Sequence, residues 1–443
     1  MASKLLGVEY RPLASVRFDP QNPRVHTKKQ VRQIATSIKA FGFNVPVLID
    51  GQGLLIAGHG RLLAAQQLEM SHIPTITVEH LDEAQIRAFK IADNRLTEVA
   101  VWDDVLLAEQ LQILSKLDLD FTVEVTGFEM SEIDMLIENL PHASPSRPDP
   151  ADEIHNSASK PQVARTGDLW LLDRHRVCCG DGRDEFSYSL LMNGQRANMV
   201  ITDPPYNDPI DKYVTGFGKI HHPEFAMASG ELTEIEFTNF LRSALARLAN
   251  NSLDGALHFI FIDWRHSGEL LSAARSVYSE FKNLCVWVKN SGGQGSLYRS
   301  QHELIFVFKN GKKPHRNNIQ LGQYGRYRTN VWEYPSVRSL SRNTEDGKLT
   351  DLHPTVKPVE LIADAILDCT ARGDVVLDAF LGSGTTVIAA ERTGRVCFGI
   401  ELNPRYVDVI MRRWQSFTGQ DAVLLSTKQT FNEIEEANRG AGK

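Results

Sequence analysis

Metal and disulfide chemistry have little to work with in this chain. Its 443 residues include five cysteines, none in a C-x-x-C or a Cys/His cluster, and Cys178 and Cys179 are simply neighbours. Neither a zinc site nor a disulfide framework is expected, and the cysteines read as small buried hydrophobes. His221 and His222 are adjacent but have no partner cluster, so they read as solvated loop residues. No apolar run approaches membrane-spanning length, and the N-terminus lacks a charged-then-apolar signal pattern. The expected compartment is therefore the cytoplasm, with no membrane partner. No repeat of solenoid length is found. No complete G-x-G-x-x-G occurs, so a single nucleoside-bearing cofactor is favoured over a dinucleotide.

Net positive charge is absent too. The formal charge is −7, which looks wrong for a nucleic-acid binder until its distribution is examined. Lys282 to Lys348 carries twelve Lys/Arg against four Asp/Glu, an excess of eight, so the remainder carries −15. A basic segment in an acidic chain is the expected footprint of a nucleic-acid groove. Tyr298, Tyr324, Tyr327, Trp332 and Tyr334 are interleaved with those charges, which favours contact with bases or sugars.

The most informative stretch is Thr202-Asp203-Pro204-Pro205-Tyr206-Asn207, after the apolar run Met199-Val200-Ile201. The run reads as a short buried strand. Each proline fixes its own φ and lacks an N–H, and the residue before each is pushed to extended geometry. Carbonyls held out of a helix are free to accept from a ligand. Asp203 adds an acceptor and Tyr206 a flat face, a pocket suited to a planar ring with an exocyclic amine.

A second motif joins it. Asp374 to Phe380 reads as a buried strand, Leu381-Gly382-Ser383-Gly384-Thr385-Thr386 as a Gly-rich turn, and Val387 to Arg392 as a helix. Strand, turn and helix make the first half of a Rossmann-like unit. The next strand, Val396 to Ile400, ends at Glu401, where a carboxylate can hold ribose hydroxyls.

Together these motifs resemble the DNA amino-methyltransferases that use S-adenosylmethionine. The base-pocket motif precedes the cofactor motif, as in the circularly permuted beta class of that family. Gly167–Asp181, Val286–Asn290, Gln301–Lys309 and His353-Pro354-Thr355-Val356-Lys357-Pro358 also match, so the resemblance covers about residues 165–425. It implies a Rossmann-like class I methyltransferase domain with a mostly parallel sheet. Expected strands include Met199–Thr202, Leu257–Ile262, Leu284–Val288, Leu304–Phe308, Val375–Phe380 and Val396–Ile400. Expected helices cover Thr233–Ala249, Gly268–Phe281, Val359–Thr370, Thr385–Thr393 and Pro404–Thr418.

The N-terminal block reads as a helix near Val31–Lys39, strands at Val45–Asp50, Leu54–Ala57 and Pro74–Val78, a helix after Gly58-His59-Gly60-Arg61, and mostly helix beyond Asp82. Over about residues 8–100 it resembles the α+β ParB/sulfiredoxin-like domain, through Asn22-Pro23-Arg24, the Gly58 to Arg61 turn and Ile91-Ala92-Asp93-Asn94-Arg95. In ParB proteins that turn reads G-E-R-R and helps hold CTP. Here one of its two arginines is missing, and the cysteine of sulfiredoxins is absent. A helix N-terminus can still hold an anion; the alternative is a retained scaffold that positions DNA or a partner. The expected organisation is 1–140 for this domain with a helical extension, 141–166 as a linker rich in proline, serine, aspartate and alanine, and 167–443 for the methyltransferase. Its target-recognition segment is expected at about 309–352, with the insertion 207–232 as a second candidate.

The resemblance implies that S-adenosylmethionine supplies the methyl group. Asp203 and the Pro204 carbonyl would accept the hydrogens of the target amine, in a wall completed by Pro205 and by Tyr206 stacked on the base. Extrusion of the base from the duplex is implied. Phe380 would lie against the cofactor, and Gly382, Ser383, Gly384 and Thr385 would line its methionine end with Thr355 and Lys357 nearby. Glu401 would hold the ribose and Asp181 the adenine amine. D-P-P-Y resembles the adenine branch; the alternatives are the N4-cytosine branch, methylation of RNA or a small molecule, and a ParB-like DNA-binding adaptor that has lost catalysis. Double-stranded DNA is the expected partner, with a nucleotide or protein at the N-terminal block and a second copy of the chain as further candidates. With no nuclease motif visible, a solitary, phage-borne modification enzyme fits.

Overall fold

The computed structural model describes residues 6–117, 119–138, 151, 161–207, 230–290, 292, 297–323, 326–335 and 356–441. The chain divides into two compact units, 1–140 and 141–443.

In the first unit the elements run β1 (Val8–Pro12), α1 (Lys28–Phe41), β2 (Val47–Ile49), β3 (Leu55–Ala57), α2 (His59–Gln67), β4 (His72–Thr77), α3 (Glu83–Glu98), α4 (Asp104–Lys116) and α5 (Met130–Glu138). The strands form a sheet in the order β1-β4-β2-β3. Val16, Val47, Ile49, Leu55, Leu62 and Ile73 make its core. Asp82 and Gln85 cap α3 reciprocally, satisfying otherwise orphaned N–H groups. Leu111, Val123, Ile133 and Ile137 form a separate small core under α4 and α5. The edge strand β1, which pairs antiparallel with β4, was not among the expected strands.

The second unit is a ten-stranded sheet with helices on both faces. Its elements are β5 (Leu169–Leu172), β6 (His175–Cys179), α6 (Glu185–Met192), β7 (Ala197–Thr202), α7 (Glu234–Asn250), β8 (Ser252–Ile262), α8 (Ser267–Ala274), β9 (Glu280–Val288), β10 (His302–Lys309), β11 (Val331–Glu333), α9 (Val359–Cys369), β12 (Val375–Asp378), α10 (Thr385–Thr393), β13 (Val396–Glu401), α11 (Pro404–Thr418), β14 (Val423–Leu424) and α12 (Phe431–Ala441). The strand order is β11-β9-β10-β8-β7-β12-β13-β6-β5-β14. The central five, β8-β7-β12-β13-β6, are mutually parallel. On the flanks β10 runs antiparallel to both β8 and β9, and β5 to both β6 and β14.

Continuous apolar strands follow from burial on both faces. Met199 and Ile201 enter one core while Val200 enters the other; Phe259 and Phe261 oppose Ile260 and Ile262 in the same way. Helices α9, α10 and α11 cover the first face, and α6, α7 and α8 the second. Nine of the eleven residues of α9 are buried, so all but a narrow strip at Glu360 and Asp364 is enclosed.

One expected helix is corrected. Gly268–Phe281 splits into α8, which ends at Ala274, and the start of β9 at Glu280. Cross-strand stacking overrides helical spacing there: the Phe281 ring lies 5.7 Å from Phe306 and 5.4 Å from Phe308. The tail of the expected linker is also not loose. Val163 and Ala164 are buried and donate their N–H groups to Asp408 at 2.9 and 2.8 Å.

Chain order places the site. From β7 the chain moves outward to β8, and from β12 it moves the opposite way to β13, so the carboxyl ends of adjacent β7 and β12 bound a topological switch crevice. Gly399 in β13 backs this crevice: a Cβ there would lie 2.2 Å from Cδ1 and 2.4 Å from Cγ of Leu381. Gly399→Ala is expected to destabilise the unit by about 1–3 kcal/mol through overpacking. Urea denaturation followed by circular dichroism checks this, and an unchanged midpoint counts against it.

Candidate active site

Asp203, Pro204, Pro205 and Tyr206 leave the end of β7, with Pro204 buried and the other three partly so. The Tyr206 hydroxyl donates to Asp203 Oδ1 at 2.6 Å. Asn207 takes a left-handed φ of 56°. Its side-chain oxygen accepts from the N–H groups of Gly230 and Leu232 at 3.0 and 3.2 Å, pinning both described ends of the insertion.

Lys357, just before α9, reaches both sides of the crevice. Its backbone carbonyl accepts from the Thr385 hydroxyl at 3.3 Å, but its ammonium reaches Asp203 Oδ2 and, at 3.2 Å, Glu303 Oε2. Lys289 holds the other Glu303 oxygen at 2.5 Å. Burial drives Asp203 above the usual carboxylate range, with Lys357 pulling against it and Glu303 adding to the push. Burial acts on Glu303 too, but Lys357 and Lys289 outweigh it and hold it at about 2. Burial alone would lower the Lys357 ammonium; the two carboxylates outweigh that and raise it.

Across the crevice, the Thr202 hydroxyl donates to Asp378 Oδ1 and the Thr386 hydroxyl to Asp378 Oδ2, each at 2.7 Å. Phe380 N–H adds a third bond at 3.0 Å. Burial pushes Asp378 up to about 6 despite these donors. The turn Gly382-Ser383-Gly384 then leads into α10. Gly384, at φ 83°, is the N-cap, and a Cβ there would lie 2.9 Å from Ile410; only glycine combines that φ with that approach.

Glu401 ends β13 with 8 % of its surface exposed. Its oxygens accept from Gly382 N–H and Asn403 N–H, both at 2.8 Å. Burial raises it to about 7. Each oxygen retains accepting capacity, since a carboxylate offers about four lone-pair sites. Gly180 N–H donates to the Glu401 carbonyl at 3.0 Å, which brings Asp181 to the same edge. Asp181 is held by Arg183 through two bonds, 2.7 and 3.1 Å; burial raises its carboxyl, but Arg183 outweighs that and holds it low. Arg183 also lies 5.0 Å above the Phe240 ring, itself 6.1 Å from Phe380. A cavity of about 540 Å³ opens here, lined by Asp181, Arg183, Glu236, Asn239 and Phe240.

The fold thus gathers Asp181, Phe380, Gly382, Ser383, Gly384, Thr385 and Glu401 along one edge and places Asp203, Tyr206 and Lys357 beside them. Thr355, His221 and His222 lie outside the described residues. Sequence reasoning missed Glu303, Lys289, Asp378 and Arg413. A visible signal for the first was a charge at the head of the apolar run Leu304–Phe308. Arg413, buried in α11, donates to the carbonyl of Ser383 at 3.1 Å and the hydroxyl of Thr385 at 3.2 Å, and also to the Ala151 carbonyl at 2.7 Å. One guanidinium therefore ties the glycine turn to the segment ahead of the sheet.

The basic segment is less available than its composition suggested. Lys282 and Lys309 pair with Glu280, Lys289 with Glu303, and Arg326 and Arg328 with Asp364 and Asp368. Trp332 and Tyr334 are core residues, whereas Tyr298 and Tyr327 are 84 % and 79 % exposed. Tyr324 and all of 336–355 lie outside the described residues.

In the N-terminal unit Gly58, at φ 101°, precedes α2 without a side-chain cap. Arg61 donates to the carbonyls of Val45 and Pro46 at 2.7 and 2.9 Å. A Cβ at Gly60 would lie 2.9 Å from Ile34 and 3.1 Å from His26. His59 is buried, and desolvation lowers its basicity. Asp19 and Lys90 pair at 2.5 Å, and Arg24 bonds Asn94 at 2.7 Å.

Residues 197–412 match the family model described as DNA methylase. Residues 6–94 match the ParB N-terminal domain, and residues 105–166 the ParB-methyltransferase HTH domain. The ParB-like nuclease domain-containing protein YnaK of Escherichia coli (strain K12) is 45 % identical over 83 residues, 19 % of this chain and 95 % of that protein. Type II methyltransferase M.HpaI of Haemophilus parainfluenzae is 25 % identical over 54 % of this chain and 75 % of its own. DNA adenine methyltransferase YhdJ of Escherichia coli (strain K12) is 32 % identical over 34 % of this chain and 50 % of its own.

Removing Arg413 leaves buried acceptors at Ser383, Thr385 and Ala151 without their donor. Arg413→Met is expected to cost about 3 kcal/mol, at the upper end for charge-assisted bonds. Thermal denaturation tests this; a melting temperature equal to that of the parent refutes it.

Proposed function

This chain belongs to the DNA methylase family and carries a ParB N-terminal domain ahead of its catalytic unit, and on that premise we propose that it methylates the N6 amine of adenine in double-stranded DNA. The observation that carries this reading is the position of Asp203 beside the glycine turn, across the crevice that the Thr202–Asp378 bond closes. S-adenosylmethionine, when bound, supplies an electrophilic methyl group on a sulfonium sulfur. The residues present fit it. Glu401 keeps lone pairs for ribose hydroxyls, Gly382 and Gly384 allow close approach of the main chain, and the cavity beside Asp181 and Phe240 has room for a purine.

An adenine amine is a poor nucleophile because its lone pair is delocalised into the ring. Asp203 Oδ1 and the Pro204 carbonyl accept its two hydrogens and draw the nitrogen toward tetrahedral geometry. Tyr206 stacks on the extruded ring, replacing part of the stacking lost from the duplex. Pro205 holds the wall rigid. Orientation is the main service of these groups, since alignment of reactants removes much of the barrier. No covalent enzyme intermediate is involved. Adenine rather than cytosine is supported by the D-P-P-Y sequence and by the relative YhdJ, whose name specifies adenine.

Single-molecule sequencing of DNA from cells expressing the chain tests base and site together. Expected is modified adenine at one recognition sequence, reduced at least ~100-fold by Asp203→Ala, the scale of loss when an electrostatic partner of the reacting group is removed. Modified cytosine overturns the choice of base, and full modification by the variant overturns the role of Asp203.

For the N-terminal unit we infer a scaffold that holds no CTP. Its remaining arginine is committed to main-chain carbonyls, and a side chain at Gly60 would press on Ile34 and His26. Millimolar CTP with Mg²⁺ is expected to leave the melting temperature of the full chain unchanged; a concentration-dependent rise overturns this.

A further inference from the structure

Among the described residues, four charges and one phenol meet at the catalytic edge. Lys357 bridges Asp203 and Glu303, Lys289 holds the far oxygen of Glu303, and the Tyr206 hydroxyl sits 2.6 Å from Asp203 Oδ1 and 3.3 Å from Glu303 Oε2. Side-chain exposure is 7 % for Lys357, 10 % for Glu303, 23 % for Asp203 and 25 % for Lys289. Two carboxylates and two ammonium groups sum to zero. For stability alone, buried ion pairs do no better than an apolar filling of the same volume. A role at the reacting centre accounts for them better.

The physical demand on Asp203 is double. It must be ionised, because a protonated carboxyl that donates is a poor acceptor for an amine hydrogen, and burial favours protonation. It must also keep an oxygen open. A lysine paired with Asp203 alone would meet the first demand and obstruct the second. Glu303 changes that balance, since it competes for the same ammonium and stands within reach of the Tyr206 hydroxyl. Lys289 in turn anchors Glu303 at 2.5 Å.

We propose that Lys357 and Glu303 are opposed positioning residues for Asp203: Lys357 keeps the carboxylate ionised, and Glu303 draws Lys357 and the Tyr206 hydroxyl toward itself, so that an Asp203 oxygen faces the target amine. The proposal rests on the reading that Asp203 accepts that amine's hydrogen, and it extends that reading to two residues that act through Asp203. The charged and titratable groups around Asp203 come from every neighbouring segment. Tyr206 is on its own turn, Lys357 ahead of α9, Glu303 at the head of β10, and Asp378 at the end of β12. Lys289 acts through Glu303, and Asp263, bonded to Arg265 at 2.8 Å, faces Tyr206.

The two residues act on Asp203 with opposite sign. Loss of Lys357 removes a positive neighbour, so Asp203 takes a proton at higher pH. Loss of the Glu303 charge removes a negative neighbour, so Asp203 stays ionised to lower pH. The experiment is the pH dependence of kcat and kcat/KM for the full chain, with isotopically labelled S-adenosylmethionine and unmethylated genomic DNA. Lys357→Met is expected to move the acidic limb up by about one to two pH units, the usual effect of one close charge, with Lys357→Arg restoring most of the parent profile. Glu303→Gln is expected to move the limb down and to lower kcat more than it changes KM. The double variant returns the limb toward its parent position.

Limbs that stay put, or that move in the same direction in both single variants, overturn the proposal. Asp203→Ala separates the two layers of the argument. Its loss of activity alongside unmoved limbs leaves the acceptor role standing and removes this one, whereas full activity removes the acceptor role itself. Should melting curves show that Lys357→Met does not fold, the near-isosteric Glu303→Gln decides alone, and an unmoved limb in it is then sufficient to reject the idea.

Discussion

The hydrogen bond from Thr202 to Asp378 closes the crevice on which the rest of the site depends. It joins the last residue of one central strand to the last residue of its neighbour. Beyond one lies the rigid Asp203-Pro204-Pro205-Tyr206 turn, and beyond the other the glycine turn into α10. Because the chain moves outward in opposite directions from these two strands, no connection crosses between their ends, and the space is left for ligands. Asp378 is nearly enclosed, and burial lifts it to about 6. Three donors, from Thr202, Thr386 and Phe380, are aimed at its oxygens.

Around that junction the chain concentrates buried polarity that a purely structural domain would avoid. Glu401 accepts two main-chain N–H groups, Arg413 bonds the glycine turn, and Lys357 lies between two carboxylates. Perturbed carboxylates gathered at one edge are the mark of a reacting centre. A DNA methylase has a particular use for them. In the proposed transfer the cofactor would carry positive charge and the nucleophile would be a weak amine, so the protein would contribute acceptors held in place rather than a nucleophile of its own.

The segment ahead of the sheet in the second unit is tied to the same geometry. Asp408 and Arg413, both on α11, hold the main chain at Val163, Ala164 and Ala151. Arg413 also reaches Ser383 and Thr385. The approach to this sheet is therefore built into the back of the glycine turn. The N-terminal unit keeps its fold while its helix-opening turn has closed over itself, with Arg61 on main-chain carbonyls and Gly60 against His26 and Ile34.

Much was legible in the chain itself. Local rules operate within a strand, a turn and a helix, so Thr385–Thr393 and Pro404–Thr418 read correctly from glycine, proline and apolar spacing. The D-P-P-Y and G-S-G turns announced themselves because proline and glycine restrict or free the backbone regardless of context. Family, cofactor class and the two-part plan followed from such motifs in order. What local rules cannot reach is partnership across the sheet. Glu303 arrives from the head of an antiparallel strand, so a search of parallel strands' carboxyl ends passes it by. Lys357 sits next to the glycine turn by its backbone yet extends its ammonium to Asp203. Charge counting read Arg326 and Arg328 as available to DNA, and the fold spends them on Asp364 and Asp368. A side chain's type is written in the sequence, but which opposite charge it meets is decided only when distant segments pack, because an ion pair needs its charges within about 4 Å and ignores chain order.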